Sequence, residues 1–198
     1  RGAWLSFILL ALLSYVYFIC KQKNKLKTNL QVIAVFIILS TLIFGSFNNI
    51  VFDRVKTGYN NISSWISGDE TPTSVGLRLN MYMRAIDNIE DVPFFGHGLR
   101  TSNIALFKND SSEMGIISSR FNHLHNAFLT NYYNGGVPLL GALILLLFVP
   151  LRIFLIASNQ NPKNFIFIAG ALLIIGYVSH GMVNILFGDT YMNGFYVF

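Results

Sequence analysis

Charged residues are scarce in this sequence. Only 12% of the 198 residues are Asp, Glu, Lys or Arg, whereas 53% are hydrophobic and the mean hydropathy is +0.52. This balance excludes an ordinary soluble domain and favours a membrane protein. The chain has one cysteine, Cys20, so no disulfide can form within it and its cysteine content indicates no particular redox compartment.

Several catalytic motifs are absent as well. The sequence has no Walker-type glycine loop, no Gly-x-Ser-x-Gly nucleophile elbow and no His or Cys cluster with metal-ligand spacing. His123-x-His125 could bind a metal only with further ligands, and no other His or Cys is close in the sequence. The adjacent acid pairs Asp69-Glu70 and Glu90-Asp91 lack the Asp-x-Asp spacing of many metal-dependent glycosyltransferases. The residues therefore give only weak support to chemistry that needs a bound metal or a nucleotide as cofactor.

Long apolar runs dominate what is present. Residues 3–20, 31–47, 137–157 and 165–187 are each about long enough to cross a bilayer as a helix, and residues 191–198 begin another. The first pair flanks a loop with four lysines and no acid (Lys21, Lys23, Lys25, Lys27). The second pair flanks a loop that holds Lys163 and no acid, with Arg152 just before it. By the positive-inside rule both loops are cytoplasmic. The chain starts without Met and stops inside an apolar run, so we expect a piece of a longer protein.

Residues 48–126 are polar and should form one large loop on the outer side of the membrane. Aromatic and apolar residues are too frequent there for a disordered linker. Thr73 or Ser74 could cap a helix over residues 75–91, with an apolar stripe at Leu79, Tyr82, Met83, Ile86 and Ile89. The predicted fold is an all-α integral membrane protein, a polytopic helical bundle. In this prediction residues 1–47 form two transmembrane helices joined by a Lys-rich hairpin. Residues 48–126 form a loop with short helices. Residues 127–198 form two further transmembrane helices and the start of a third.

A His-Asn pair, His125-Asn126, lies where the polar loop meets the third apolar run. If this stretch is helical, His125 and Gly136 fall on one face with Leu129 and Tyr132, and His123 faces the opposite way. The alternative is that Asn134-Gly135-Gly136 breaks the helix. Because imidazole titrates near neutrality, His125 suits proton transfer beside a membrane-borne substrate. It could equally be an interfacial histidine that only hydrogen-bonds a backbone carbonyl.

Arginines accompany His125 on the predicted outer side. They are Arg1, Arg78, Arg84 and Arg100. A guanidinium group binds phosphate oxygens in a bidentate way and stays charged, so the set fits an anionic lipid substrate such as a polyprenyl diphosphate. Arg84 and Arg100 could instead pair with acidic residues of the loop. In the fourth run, Tyr177, His180 and Asn184 form a polar stripe that we expect to make interhelical hydrogen bonds rather than to react.

Three stretches together resemble the C-terminal half of the O-antigen ligase family, within the O-antigen ligase and polymerase superfamily. The first is Arg1-Gly2-Ala3-Trp4-Leu5. The second is residues 76–82, Gly-Leu-Arg-Leu-Asn-Met-Tyr, leading to residues 93–98, Pro-Phe-Phe-Gly-His-Gly. The third is His123-Leu124-His125-Asn126 followed by Gly136, which fits the ligase pattern of His-Asn, nine residues and Gly. That pattern continues with Gly, Thr or Tyr where this chain has Leu139.

The resemblance implies a multi-pass protein of the bacterial inner membrane with its active site facing the periplasm. It implies transfer of an undecaprenyl-diphosphate-linked O-antigen glycan onto a lipid A core sugar hydroxyl, without metal and without nucleic acid as a partner. Arg1 and Arg78 would then hold the diphosphate, with Arg84 and Arg100 as further candidates. His125 would take the acceptor proton, supported by Asn126 and Gly136. An O-antigen polymerase, an exporter of lipid diphosphates and a purely structural membrane subunit are the alternatives.

Overall fold

The computed structural model describes residue 34 and residues 52–68, 71–160 and 165–186. These residues form helices and connecting turns, without a β-strand among them, so the all-α prediction is confirmed for this part of the chain. The predicted spans at 3–20 and 31–47, Arg1 and the run at 191–198 lie outside it. Residues 52–68 and 71–76 belong to one compact unit and residues 77–186 to another. The first contains a helix, α1, over residues 52–66.

Helix α2 (Ser74–Asp87) is followed by a single 3₁₀ turn over Ile89–Asp91. The Thr73 hydroxyl accepts a hydrogen bond from the Gly76 N–H at 3.0 Å, which confirms Thr73 as the cap. The predicted apolar stripe is only partly buried, since Tyr82 packs against the core but other members of the stripe are exposed. Met81 and Ala85 are fully buried, whereas Met83 and Ile86 are 49% and 58% exposed. The buried face therefore lies beside the most hydrophobic stripe rather than along it.

Two short helices complete the polar region, α3 (Ser102–Phe107) and α4 (Glu113–Ser119). The Ser112 side chain caps α4 by accepting from the Gly115 N–H at 3.0 Å. One hydrophobic core joins α2 and α3 to the residues that follow α4. Its buried members are Met81, Ala85, Val92, Phe107, Leu124 and Tyr133. The region is thus folded, as predicted, rather than a linker.

Helix α5 (Ala127–Gln160) is the one helix among the described residues that is long and apolar enough to cross a membrane. It is interrupted at Gly136, whose φ of 64° and ψ of −154° are not helical. The predicted alternative of a break at Asn134-Gly135-Gly136 is therefore correct, and the predicted third apolar span corresponds to the part of α5 after the break. The two parts are residues 127–135 and 137–160.

The loop over residues 93–98 fills the break in α5. The amides of His97 and Gly98 donate to the carbonyls of Tyr133 and Asn134 at 2.8 and 2.9 Å, and the Val137 amide donates to Phe94 O at 3.0 Å. The loop thus satisfies carbonyls at the end of the first part and an amide at the start of the second. Gly136 must lack a Cβ here because an added methyl group would overlap the Phe94 carbonyl.

Helix α6 (Phe165–Gly181) packs antiparallel to α5. A Cβ on Gly170 would meet the Phe154 ring near one end of the pair, and a Cβ on Gly181 would lie 3.4 Å from Ala127 at the other. The predicted fourth span reached residue 187, but α6 ends at Gly181. The chain turns there because Leu186 folds back over Gly181, where only a glycine leaves room for it. His180 and Asn184 of the predicted stripe contact each other at 3.3 Å.

Candidate functional site

The segment before α5, residues 121–126, is an irregular turn rather than a helix. Asn126 ends it as the N-cap of α5, since its Oδ1 accepts from the amides of Phe128 and Leu129, both at 3.0 Å. Its Nδ2 donates to Met182 O at 3.2 Å and so ties the cap to the end of α6. The predicted common face of His125 and Gly136 was therefore wrong, because His125 precedes the helix and Gly136 interrupts it.

The backbone of His125 is held in a left-handed conformation, with φ of 52°. For an L-residue with a side chain this conformation costs roughly 1–2 kcal/mol, so neighbouring groups must stabilise it. The Tyr82 hydroxyl of α2 donates to His125 O at 2.7 Å, and the His125 amide donates to His123 Nδ1 at 3.2 Å. On the other side of the turn, the Leu124 amide donates to Thr130 Oγ1 at 3.0 Å.

The His125 imidazole lies between two other rings. Its centroid is 5.3 Å from that of Phe121 and 4.3 Å from that of His123, with both pairs in edge-to-face orientations. The expectation that His123 and His125 face opposite ways was wrong, because it assumed a helix where the chain forms a turn. The Nδ1 atom of His125 is buried and has no hydrogen-bond partner among the described residues. A polar atom left unpaired in this way is unusual and is typical of functional sites.

The environment keeps His125 neutral. Burial, the neighbouring His123 and the Arg78 guanidinium together lower the pKa of His125 from 6.5 to about 4. Burial and Arg78 also lower the pKa of His123. The sequence predicted that positive charge would depress the His125 pKa, and the direction agrees, but burial is the larger cause.

Arg78 is the guanidinium that the structure brings to this pair of histidines. Its positive charge acts to lower the pKa values of Tyr82, His123 and His125. It is partly buried on α2, and within residues 71–160 no carboxylate forms a salt bridge with it. A partly buried cation that has no counter-ion in the described part of the chain is suited to binding an anion.

The other predicted arginines are placed differently. Arg84 forms a salt bridge with Asp110 and lies over the Phe107 ring, 5.1 Å from its centroid, which matches the predicted alternative of pairing within the loop. Hydrogen bonding from Ser112, together with Arg84, lowers the pKa of Asp110. Arg100 is exposed, with φ of 63°, shortly after the loop that fills the helix break.

A family model described as O-antigen ligase matches residues 1–146, about three quarters of the chain. The chain belongs to the O-antigen ligase family. The resemblance predicted from the three sequence stretches is therefore confirmed. A relative from Haemophilus influenzae, an uncharacterized protein, is 27% identical over 183 residues, which are 90% of this chain. The chain spans 45% of that relative's length.

The family model carries the description O-antigen ligase and covers the residues of this site. Within the described residues, no three His, Cys, Asp or Glu side chains lie together in a way that could hold a metal ion. The described residues of the site are a histidine with a lowered pKa, an arginine that forms no salt bridge with another described residue, and a partly buried tyrosine hydroxyl. The imidazole can accept a proton, the guanidinium can bind an anion, and the tyrosine hydroxyl fixes the backbone of His125.

Two features of the site were missed from the sequence. Tyr82 was assigned to an apolar stripe, although its hydroxyl binds the backbone of His125, 43 residues later. The contact of the loop at residues 93–98 with Gly136 was not predicted. The two glycines were the available signal, because Gly96 and Gly136 both have positive φ. A Cβ on Gly96 would overlap the backbone of residues 134–136, and a Cβ on Gly136 would overlap the backbone of Phe94 and Gly96.

Proposed function

We propose that this chain carries the active site of a glycosyltransferase that moves an O-antigen glycan from undecaprenyl diphosphate to a sugar hydroxyl of the lipid A core. The reaction takes place at the periplasmic face of the inner membrane and uses no metal or other cofactor. The observation that carries the proposal is the His125 imidazole with its lowered pKa, together with the charge of Arg78, which forms no salt bridge within the described residues. Family membership supplies the class of reaction.

In the proposed reaction His125 is the general base. The acceptor hydroxyl oxygen forms a bond to the anomeric carbon, its proton passes to an imidazole nitrogen, and the bond from that carbon to the diphosphate oxygen breaks. The electron pair of the broken bond leaves with undecaprenyl diphosphate. A pKa of about 4 keeps the imidazole unprotonated before substrate binds. Binding of the diphosphate then adds negative charge nearby, which raises the pKa and makes His125 a stronger base during the reaction.

Arg78 is proposed to hold the diphosphate. Charge grows on the leaving diphosphate as the glycosidic bond breaks, so a fixed cation stabilises the transition state more than the ground state. Arg1 is proposed to share this role, and Arg100 is a weaker candidate on an exposed turn. Arg84 is the weakest, because Asp110 already neutralises it. Asn126 and Gly136 are proposed to support the site by starting α5 and by admitting the loop at the helix break.

The acceptor distinguishes ligase from polymerase. The two reactions share the donor and the chemistry, but a polymerase transfers the glycan to a second lipid-linked glycan. Leu139 departs from the ligase pattern and keeps the polymerase as the second candidate. The test offers purified full-length protein the undecaprenyl-diphosphate glycan with either lipid A core or more lipid-linked glycan as acceptor. We expect a product with lipid A core as acceptor. A product formed only with the lipid-linked glycan as acceptor would identify a polymerase. Transport of the donor without either product would identify an exporter.

The role of His125 is tested in the same assay. His125→Ala should lower the rate about 100-fold to 10,000-fold, the usual contribution of a positioned base, with donor binding nearly unchanged. His97→Ala is the matched control, because His97 is exposed and its backbone hydrogen bond survives loss of the ring. Weakened donor binding in His125→Ala, or an equal loss in the control, would remove His125 from the role of base.

Arg78 is tested by two substitutions. Arg78→Ala should raise the KM for the donor and lower kcat, and Arg78→Lys should recover little, because a point charge cannot reproduce the planar donor pair of a guanidinium. Arg120→Ala, at an exposed arginine of the same region, is the control and should retain activity. Near-normal activity of Arg78→Lys would reduce Arg78 to a general electrostatic role.

A further inference from the structure

His123 contacts His125 in two ways that have different chemical requirements. Its Nδ1 accepts the His125 amide at 3.2 Å, and its ring lies edge-to-face with the His125 ring at 4.3 Å. An atom that accepts an N–H bond must present a lone pair, so the proton of a neutral His123 is on Nε2. A protonated His123 would carry a hydrogen on both nitrogens and could not accept this bond.

The amide that His123 binds belongs to the residue with the strained backbone. His125 has φ of 52°, which an L-residue with a side chain adopts only when its surroundings hold it there. The Tyr82 hydroxyl holds the carbonyl of the same residue, so the hydrogen bond from the amide fixes the other end of the His125 backbone. If that bond is lost, the residue can relax to negative φ, and its ring then leaves the position between Phe121 and His123.

We infer that His123 is a positioning residue, which holds the proposed base His125 in its working orientation by accepting the His125 backbone N–H through Nδ1. This rests on the proposed function of His125. His123 takes no proton from the substrate in this scheme and does not relay one. This role requires a side chain with a hydrogen-bond acceptor two bonds from Cβ, within reach of the His125 amide.

Asparagine has the same property without the imidazole. Its Oδ1 is also two bonds from Cβ, and asparagine commonly accepts the N–H of the residue two positions later. His123→Asn therefore separates the two functions of the ring, because it keeps the acceptor and removes the titrating group. His123→Leu removes the acceptor at similar size, and His123→Gln moves the acceptor one bond too far from the backbone.

The experiment compares the full-length wild-type protein with the Asn, Leu and Gln variants and with His125→Ala. We expect His123→Asn to retain at least about a third of the wild-type kcat. His123→Leu and His123→Gln should lose about 10-fold to 100-fold, the scale of a misplaced reacting group, with the donor KM unchanged. If the leucine variant does not fold, judged by its melting temperature, the glutamine variant gives the comparison.

Two results would overturn the inference. If His123→Asn were as inactive as His123→Leu, the imidazole ring itself would be required. If His123→Leu were as active as wild type, the hydrogen-bond acceptor would not be required. A second readout does not depend on catalysis. The ¹⁵N spectrum of histidine-labelled full-length protein, assigned by difference with His123→Asn, should show the His123 proton on Nε2, and a proton on Nδ1 would contradict the inference. Wild-type protein without transferase activity, or fully active His125→Ala, would instead refute the proposed function.

Discussion

Gly136 and Phe94 meet backbone to backbone, with the Phe94 carbonyl in the space that a Gly136 side chain would occupy. The Val137 amide donates to that carbonyl at 3.0 Å, so the contact also closes the break in α5. A residue 42 positions earlier in the chain thereby sets where the apolar part of the helix begins, and substitutions at Gly136 should act on both elements at once.

Gly136→Ala should destabilise the protein strongly. Its φ of 64° and ψ of −154° are nearly exclusive to glycine, a strain of about 1–3 kcal/mol, and the added methyl group must also displace the Phe94 loop. Thermal unfolding in detergent measures the loss. Gly141→Ala is the matched control, since it lies in the same helix with nothing within 4 Å of its Cβ, and it should be neutral or gain up to about 1 kcal/mol. Similar melting temperatures for the two variants would contradict the described break.

Tyr82→Phe should lower activity without loss of protein. It removes the hydroxyl that donates to His125 O at 2.7 Å and leaves the ring in place. A hydrogen bond of this kind contributes about 0.5–1.5 kcal/mol, so a roughly 2-fold to 10-fold loss of kcat is expected. Tyr132→Phe serves as control, because its hydroxyl reaches Ile89 O only at 3.4 Å on the surface. Equal effects in both variants would mean that the Tyr82 bond does not position His125.

Transfer activity should be flat between pH 5 and 8 when measured as kcat/KM. The neutral form of His125 is the active one, and its pKa in the free protein is about 4, so kcat/KM should fall only as the pH drops toward 4. In kcat the fall should appear at higher pH, because the bound diphosphate favours the imidazolium form. A common midpoint near 6.5 in both profiles would indicate an ordinary exposed imidazole.

The same pKa shift affects stability and must be controlled for in that measurement. Between pH 6.5 and about 4 the unfolded chain takes up a proton at His125 that the folded chain does not, so folding stability falls as the pH drops through this range. Samples returned to pH 7 should recover full activity if the decline reports titration of the base rather than unfolding.

The orientation can be tested by cysteine labelling in cells. After Cys20 is replaced by serine, a cysteine at the exposed Asn109 should react with an impermeant maleimide from the periplasm. A cysteine at Asn24, in the lysine-rich loop, should react only after the inner membrane is opened. The reverse pattern would place His125 in the cytoplasm and exclude the proposed reaction there.

Features set by neighbouring residues could be predicted from the sequence. The cap at Thr73, the break at Gly136 and the apolar character of residues 137–157 each depend on a few adjacent side chains. The start of α5 was also available, because asparagine is a preferred N-cap, but the helical spacing of His125 and Gly136 led to a helix that included both. One misplaced helix boundary was enough to put His123 and His125 on opposite faces.

Contacts between distant segments could not be predicted. Tyr82 is 43 residues from the carbonyl that it binds, and no local pattern connects the two. The buried face of α2 was misjudged for a different reason. The small Ala85 is fully buried while the larger Ile86 is 58% exposed, so the hydrophobicity of the side chains alone did not identify the packed face.

The closed break in α5 also has a consequence for hydrogen exchange. The amides of His97, Gly98 and Val137 are in a loop and at a helix start, positions that ordinarily exchange fast, yet each donates across the break. None of these bonds can open alone without moving the loop away from the helix. The three amides should therefore exchange slowly and at one shared rate, as a single cooperative opening unit of the native protein.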